Sequence, residues 1–330
     1  MAPQPRSGSM QQNHLGGEGL LNGLLRDIGE RRLIELVSSY FETQEEDCAV
    51  VELGGECLLL TSDMLHEKSD FPPQMTPYQM GWSLVAVNLS DIAAMGGEPL
   101  FMVDAIGVPP EFSVESFKEL LSGIHSCALR FGLGVLGGDL DAHDEITLTG
   151  FVLGVAREGR VIRRSGAKVG DLLCITGYLG SAGGGLRLIE REKDVDLSDP
   201  LVKALFEPVP RVKEGLKLSG SGFVTSMTDI SDGLSVSLAD LSRASHVGFE
   251  IDWERIPVRS ELFKVVEDAD DLRSLLLSAG GDYELLFTVM PEGVNELRQV
   301  VDFTVIGRVV EKNAGERVVP SGYDHFKVEG

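Results

Sequence analysis

The sequence predicts an α+β protein with two domains, and three observations support this prediction. The chain has 330 residues and is 43% hydrophobic, which is enough apolar material for more than one core. Strand-like and helix-like segments mix in both halves without the regular alternation of a doubly wound sheet. A basic, glycine-containing segment at 157–170 interrupts the pattern. We therefore predict a flexible tail at 1–22, an N-terminal domain at 23–157 and a C-terminal domain at 158–330.

The first half begins with a helix and a pair of strands. Helical periodicity marks 31–39, and the acidic turn "QEED" leads into a strand. Residues 57–63 form the next strand, so a meander is expected here. Thr76 and Pro77 carry the signal of a helix start, and Gly96 and Gly97 carry that of its end. Further strands are predicted at 100–108, 133–140 and 145–156, with a helix from Ser113 to Phe131.

The second half has the same mixed character. The strand "DLLCITG" is followed by the glycine-rich "GSAGGGL", which enters a helix. Residues 201–219 are helical, with Pro208 and Pro210 breaking or restarting the helix. "FVTSMTDISDGL" reads as a strand, a tight acidic turn and a helix start. "SAGGDYELLFTVM" and "FTVIGRVVE" predict two more strands.

Charge and cysteine usage narrow the function classes. A formal charge of −23 argues against a nucleic-acid surface, which needs clustered Lys and Arg. No apolar run approaches the roughly 18 to 20 residues of a membrane span, and 1–22 lacks the apolar centre of a signal peptide. The four cysteines are scattered without a CxxC pair, so we expect reduced, mostly buried thiols in a cytoplasmic protein.

Carboxylates recur at the ends of predicted elements or on a helix face that should be buried. Such acids are found at Asp47, Asp63, Asp91, Asp139, Asp229 and Asp232. Oxygen-rich clusters suit Mg²⁺, which binds through a few carboxylates together with water and substrate phosphates. Each acid also has a structural interpretation: Asp229 could be a helix N-cap, and Asp139 could be a turn residue. Asp91 is harder to explain structurally, because an Asp on an apolar helix face needs a partner.

The glycine-rich loops and the arginine pair are less specific. "GSAGGGL" is not a Walker sequence, and "LGVLGGD" is not a dinucleotide fingerprint, so a structural turn is the favoured interpretation of each. Arg163 and Arg164 are the best cationic candidates for a phosphate, against the alternative of a solvated linker pair.

Six motifs, taken together, resemble a known family. "LLLTSD", "VNLSDIAAMGGEPLF", "LGGD", "RSGAKVGD", "DISDGL" and "GGDYELLFT" follow in this order, and "GYDHF" comes near the end. From about residue 28 onwards the chain resembles the thiamine-monophosphate kinases, of the superfamily that includes aminoimidazole ribonucleotide synthetase. The resemblance implies an aminoimidazole ribonucleotide synthetase-like fold with an N-terminal sheet domain that dimerises. It also implies Mg²⁺-dependent transfer of the ATP γ-phosphoryl group to thiamine monophosphate, giving thiamine diphosphate.

The resemblance also implies roles for individual residues. Catalytic positions correspond to Asp63, Asp91 and Asp229. Metal positions correspond to Asp47, Thr61, Ser62, Asp63, Asp91, Asp139, Asp229 and Asp232. ATP-contacting positions correspond to Gly138, Asp139, Arg164 and Ser231, and substrate positions to Asp70, Asp282 and Pro320.

The sequence departs from the family mainly in the substrate positions. The family has a His at Asp70, an aromatic residue at Pro320, and "GGEDYEL" where this chain has the shorter "GGDYEL". It also has Gly-Asp-Asp where this chain has Glu45-Glu46-Asp47. We therefore expect weaker thiamine monophosphate binding with ATP use retained. Two alternatives stay open: another ATP-dependent enzyme of the superfamily with a different acceptor, and a non-catalytic nucleotide-binding homologue.

Overall fold

The computed structural model describes residues 24–41, 43–192 and 194–314. The predicted tail and Pro320 therefore lie outside the described residues. The described residues fall into two units by their internal contacts, one within 44–314 and the other within 24–43. The described part of the smaller unit contains helices α1 (Leu25–Ile28) and α2 (Glu30–Tyr40), which confirms the helix predicted at 31–39.

The first sheet of the larger unit is built by residues 49–157. Its strands are β1 (Ala49–Leu53), β2 (Glu56–His66), β3 (Glu98–Val108), β4 (Gly134–Ala142) and β5 (Thr147–Arg157). They lie in the order β1-β2-β5-β3-β4. All neighbours are antiparallel except β3 and β4, which are parallel. A parallel pair needs a crossover, and helix α5 (Val114–Phe131) provides it.

Helices α3 (Glu67–Asp70) and α4 (Pro77–Ala94) also belong to this half, and α4 supplies much of its core. Thr76 caps α4 by accepting a hydrogen bond from the backbone N–H of Gln79, and Pro77 occupies the first helical position. After the helix, Gly96 adopts a φ of 68°, as its sequence position predicts. α4 lies against α5 at two glycines. A Cβ on Gly81 would come within 2.1 Å of the carbonyl oxygen of Leu120, and one on Gly123 within 1.8 Å of that of Tyr78.

The second sheet is built by residues 172–311. Its strands are β6 (Leu172–Ile175), β7 (Val224–Asp229), β8 (Val247–Ile251), β9 (Leu285–Val289) and β10 (Thr304–Glu311), in the order β7-β9-β6-β10-β8. All four pairings are antiparallel. The helices of this half are α6 (Ser181–Arg191), α7 (Pro200–Phe206), α8 (Val212–Ser221), α9 (Leu234–Ser245), α10 (Ala269–Ser278) and α11 (Val294–Leu297).

The predicted α+β class is confirmed. Five of the named elements in the described residues were not predicted: α1, α3, β8, α10 and α11. The meander expectation holds for β1 and β2, but β5 lies between β2 and β3. β4 continues through Asp139 to Ala142, so the interpretation of Asp139 as a turn residue is wrong. Among the described residues, no helix is both long and apolar enough to cross a bilayer.

The two faces of the first sheet differ. Leu59, Met102 and Val152 point to the helix-covered face and are buried. Phe101 and Phe151 point to the other face and are exposed, because side chains along a strand alternate between the faces. This alternation decides which of the candidate site residues can meet.

Candidate functional site

Three carboxylates from three different elements meet in one place. Asp47 precedes β1, Asp91 lies on α4, and Asp229 ends β7. One oxygen from each lies within 4.8 Å of the others. The sequence predicted a common site for these acids, and the structure brings these three together.

Two side-chain hydrogen bonds join the polar face of α4 to β2. The hydroxyl of Thr61 donates a hydrogen bond to Oδ2 of Asp91. One turn earlier on α4, Oδ1 of Asn88 accepts the backbone N–H of Asp63 at 3.1 Å. Gly150 makes room for Asn88, since a Cβ there would lie 2.5 Å from Nδ2 of that amide. The polar positions of α4 therefore face Asp63 and Thr61 on the neighbouring strand.

Asp229 is also held by hydrogen bonds from hydroxyl groups. Its Oδ2 accepts a hydrogen bond from the hydroxyl of Ser90 at 2.5 Å, and its carbonyl accepts one from Ser237 at 2.8 Å. The N-cap of α9 is Gly233, so the interpretation of Asp229 as a helix cap is wrong. The carboxylate is directed to α4, which lies in the other half of the chain.

Burial and nearby negative charges disfavour the charged forms of Asp91 and Asp229. Burial raises the pKa of Asp91 well above its ordinary value, and the charges of Asp63 and Asp229 raise it further. Burial and the charge of Asp47 raise the pKa of Asp229 to about 8. A cation would relieve this repulsion. Carboxylate oxygens with the Thr61 hydroxyl beside them are the hard oxygen donors that Mg²⁺ prefers, so the donor set fits that ion.

The arginine pair contacts the acidic turn. Nη2 of Arg164 lies 2.7 Å from Oδ1 of Asp47, and Nη1 lies 3.2 Å from Oδ2 of Asp240. Arg163 is more exposed, and its Nη1 lies 3.7 Å from Oε1 of Glu46. The interpretation of both residues as a solvated linker pair is therefore wrong for Arg164. Asp47 accepts a further hydrogen bond from Thr228 at 2.9 Å.

The loop "GGDYE" also borders the acids. Asp282 accepts the backbone N–H groups of Gly180 at 2.6 Å and Ala182 at 3.0 Å, at the start of α6, and burial raises its pKa to about 7. Glu284 accepts hydrogen bonds from Arg211 and from Thr176. The hydrogen bonds of Asp282 and Glu284 therefore fix the position of Tyr283, which lies between them in the sequence.

That residue, Tyr283, was missed by sequence reasoning. It is held at a φ of 50°, which is uncommon for a residue other than glycine. Burial raises the pKa of its phenol well above the ordinary value, and so do the charges of Asp63 and Asp229. Its neighbour Asp282 was a candidate from the sequence, but no sequence feature predicted a left-handed backbone conformation at Tyr283.

Two predicted metal residues lie on the other face of the first sheet. Ser62 follows Thr61 and is exposed, whereas Thr61 is buried. The register aligns Met64 with Thr149, Thr149 with Ala105, and Ala105 with Asp139. By strand alternation, Asp139 therefore shares the face of Ser62 and not that of Asp63.

The remaining candidates have partners of their own. Asp70 accepts the backbone N–H of His66 at 2.8 Å and the hydroxyl of Ser69 at 2.6 Å. Ser231 donates to Asp232 at 3.2 Å, and the charge of Asp232 also raises the pKa of Tyr283. Gly138 pairs with Asp104, and a Cβ on Gly138 would lie 2.1 Å from the carbonyl oxygen of Asp104.

Comparison with known proteins agrees with this architecture. The family model "AIR synthase related protein, N-terminal domain" matches residues 45–156, and the corresponding C-terminal domain model matches 168–320. A thiamine-monophosphate kinase of Methanospirillum hungatei is 43% identical over 288 residues, or 86% of this chain and 93% of the relative. One of Archaeoglobus fulgidus is 39% identical over 270 residues, or 79% of this chain and 86% of the relative.

Solved structures give the same result. A structure of AaThiL complexed with AMPPCP and TMP superposes with a TM-score of 0.83 at 28% identity, covering 92% of this chain and 99% of that chain. A HypE–HypF complex superposes with a TM-score of 0.72 at 21% identity, covering 88% of this chain and 99% of that chain, which reflects the fold alone.

Proposed function

This chain belongs to the AIR synthase related family, and we propose that it works as a thiamine-monophosphate kinase. Its relatives of that name match it over most of both chains. The reaction moves the γ-phosphoryl group of ATP to the phosphate of thiamine monophosphate, giving thiamine diphosphate and ADP. The observation that carries the proposal is the convergence of Asp47, Asp91 and Asp229 in a chain with this fold.

The residues suit this chemistry. The reaction breaks the bond between the γ-phosphorus and the bridging oxygen, and forms one to an oxygen of the acceptor phosphate. Such a transfer depends mainly on positioning and on neutralising charge. The acceptor is already an anion, so no side chain has to remove a hydroxyl proton. This is consistent with a site made of carboxylates, hydroxyls and one arginine.

Mg²⁺ is part of the proposal. Asp47, Asp91 and Asp229 would hold it, with Asp63 and Thr61 close by, and bound Mg²⁺ would neutralise phosphate charge. Ser62 and Asp139 remain proposed metal ligands, but from their face of the sheet they would serve a different ion. Asp232 remains a proposed ligand beside Tyr283.

The nucleotide and acceptor contacts are proposed on the same basis. Arg164 is buried enough to make strong charge-assisted bonds to a phosphate, and Gly138 and Ser231 are proposed as further ATP contacts. Asp139 is also proposed as an ATP contact, but from the other face of the sheet it would not share a site with Arg164. For the acceptor, Asp70 contributes negative charge near Tyr283, which suits the positive thiazolium ring of thiamine monophosphate. Asp282 is engaged with the amides of α6, so we propose that it shapes the acceptor site through that loop.

A homodimer is proposed from the outward face of the first sheet. Phe101 and Phe151 are 44% and 42% exposed there, and Met64 is 59% exposed. A second copy of the chain would bury this apolar face. We also propose that the reaction takes place in the cytoplasm, which the four unpaired and buried cysteines support. No nucleic-acid partner is proposed, in line with the charge of −23.

The test is a panel of acceptors incubated with ATP and Mg²⁺, with products identified by mass. We expect thiamine diphosphate and ADP in equal amounts from thiamine monophosphate. The matched control adds excess EDTA, which should abolish both products. Formation of ADP with another phosphate acceptor, while thiamine monophosphate stays unchanged, would show that the acceptor is wrong.

A further inference from the structure

The guanidinium of Arg164 donates hydrogen bonds to both carboxylate oxygens of Asp47. Its Nη2 lies 2.7 Å from Oδ1, and its Nε lies 3.4 Å from Oδ2. Thr228 donates to the same Oδ1 at 2.9 Å. The Asp47 side chain is only 1% exposed, so little of it is left to water. Both oxygens of Asp47 therefore have donors.

Asp47 is also the acid that joins Asp91 and Asp229 in the cluster. A metal ion bound at this carboxylate would have to share it with Arg164, since Oδ1 already accepts two hydrogen bonds and Oδ2 accepts one from Nε. It would also place a divalent cation beside a guanidinium in a buried space, where the repulsion between like charges is strong. A metal ion and the observed position of Arg164 therefore compete for Asp47.

The Arg164 side chain has a second anchor, while its backbone is fixed. Its Nη1 donates to Asp240 on α9 at 3.2 Å, and the side chain is 20% exposed. The backbone N–H donates to Glu46 at 2.8 Å, and the carbonyl accepts from Ser245 at 3.1 Å. The guanidinium can thus release Asp47 and stay near the site.

We infer that Arg164 is a placeholder cation for the metal site. It neutralises Asp47 while no metal is bound, and it gives up this carboxylate when a metal ion arrives together with a nucleotide whose phosphate takes over the guanidinium. The nucleotide half of this inference rests on the proposed function, whereas the competition with metal does not.

The consequence is coupling between the two ligands. Metal alone has to displace Arg164 without compensation, so it binds weakly. A nucleotide phosphate provides the guanidinium with a new partner, so metal and nucleotide each increase the affinity for the other. This coupling favours assembly of the complete site over binding of either ligand alone.

The experiment measures Mn²⁺ affinity by electron paramagnetic resonance in the absence of nucleotide and of thiamine monophosphate. It uses the full chain and the variants Arg164→Gln and Arg163→Gln. Both variants remove one positive charge, but Arg163 pairs with Glu46 and not with a cluster acid. We expect Arg164→Gln to bind Mn²⁺ roughly tenfold or more tightly than the wild type, since a competing charge about 4 Å away is lost. Arg163→Gln should change the affinity by less than about twofold, as an exposed charge does.

Unchanged or weaker binding in Arg164→Gln would overturn the inference. So would an equal gain in both variants, which would indicate a general effect of net charge. If Arg164→Gln does not fold, Arg164→Lys keeps the test open. A lysine ammonium cannot bridge Asp47 and Asp240 as a forked guanidinium does, so tighter Mn²⁺ binding than in the wild type is again expected, roughly threefold. Because the assay contains no acceptor, its outcome is independent of whether thiamine monophosphate is the substrate.

Discussion

Asp229 is buried, and both the burial and the nearby charge of Asp47 disfavour its ionised form. Its pKa is raised from an ordinary value of 3.8 to about 8 by burial and by Asp47. Between these values the folded, metal-free protein holds a proton that the unfolded chain has released. The free energy of unfolding therefore decreases as pH rises from about 4 to about 8, because the folded state binds more protons.

In EDTA, the melting temperature should fall between pH 6 and pH 8, and Asp229→Asn should flatten this dependence. Mg²⁺ should restore part of the stability at pH 8 in the wild type, since the metal favours the ionised acids. Calorimetric melts at the two pH values provide the measurement. A wild-type melting temperature that rises over this range, with Asp229→Asn following it in parallel, would count against the assignment.

The backbone conformation of Tyr283 and the partner of Arg164 could not be predicted from the sequence one residue at a time. The positive φ of Tyr283 is set by hydrogen bonds between its loop and the "DISDG" turn, among them its N–H to the carbonyl of Ile230 at 3.0 Å. Arg164 meets Asp47 across 117 residues of sequence. Neither relation leaves a local signal. The opposite faces of Ser62 and Asp63, in contrast, follow from strand alternation alone and were open to prediction.

For the helices and strands, local sequence signals predicted where elements begin, but they did not predict which strands pair. The start of α4 was predicted because Thr76 and Pro77 act within one turn. The insertion of β5 between β2 and β3 depends on contacts between distant segments, which no local pattern specifies. The division of the chain near residue 157 likewise remains a prediction. The partnership of α4 with the acids was visible only as a polar pair, Asn88 and Asp91, on an apolar helix.

The contact between α4 and α5 gives a second prediction. Gly123→Ala would place a Cβ 1.8 Å from the carbonyl oxygen of Tyr78, so the two helices would have to separate. We expect a loss of about 1 to 3 kcal/mol or more in the free energy of unfolding, measured by urea denaturation.

Its matched control is Gly220→Ala, in the last turn of α8. That Cβ would meet no atom within 4 Å. Alanine also costs less backbone entropy in a helix, so a gain of up to about 1 kcal/mol is expected. Similar small effects of the two substitutions would show that α4 and α5 are not in such close contact.

At the scale of the whole molecule, the exposed face of the first sheet predicts a dimer. Phe151 lies at its centre, in register with Ser62 and with Val103. Phe151→Asp should convert the dimer into monomers, observed by analytical ultracentrifugation, because a charge cannot be buried unpaired in such an interface. Phe263→Asp is the control, since Phe263 is 61% exposed in the other half of the chain. A monomeric wild type, or dissociation only in the Phe263→Asp control, would show that this face is not the dimer interface.

We propose that the buried carboxylate cluster catalyses transfer of the γ-phosphoryl group of ATP to thiamine monophosphate. The most direct measurement follows label from γ-³²P-ATP into thiamine diphosphate, in the wild type and in Asp229→Asn. Asn keeps the shape of Asp but removes the charge, and a side chain that served only structure would tolerate the change. We predict stoichiometric label transfer in the wild type. In the variant we predict a loss of orders of magnitude, while its metal-free melting temperature stays unchanged or rises. Near-normal label transfer by Asp229→Asn would remove Asp229 from the catalytic site, and no labelled thiamine diphosphate from the wild type would rule out the kinase activity.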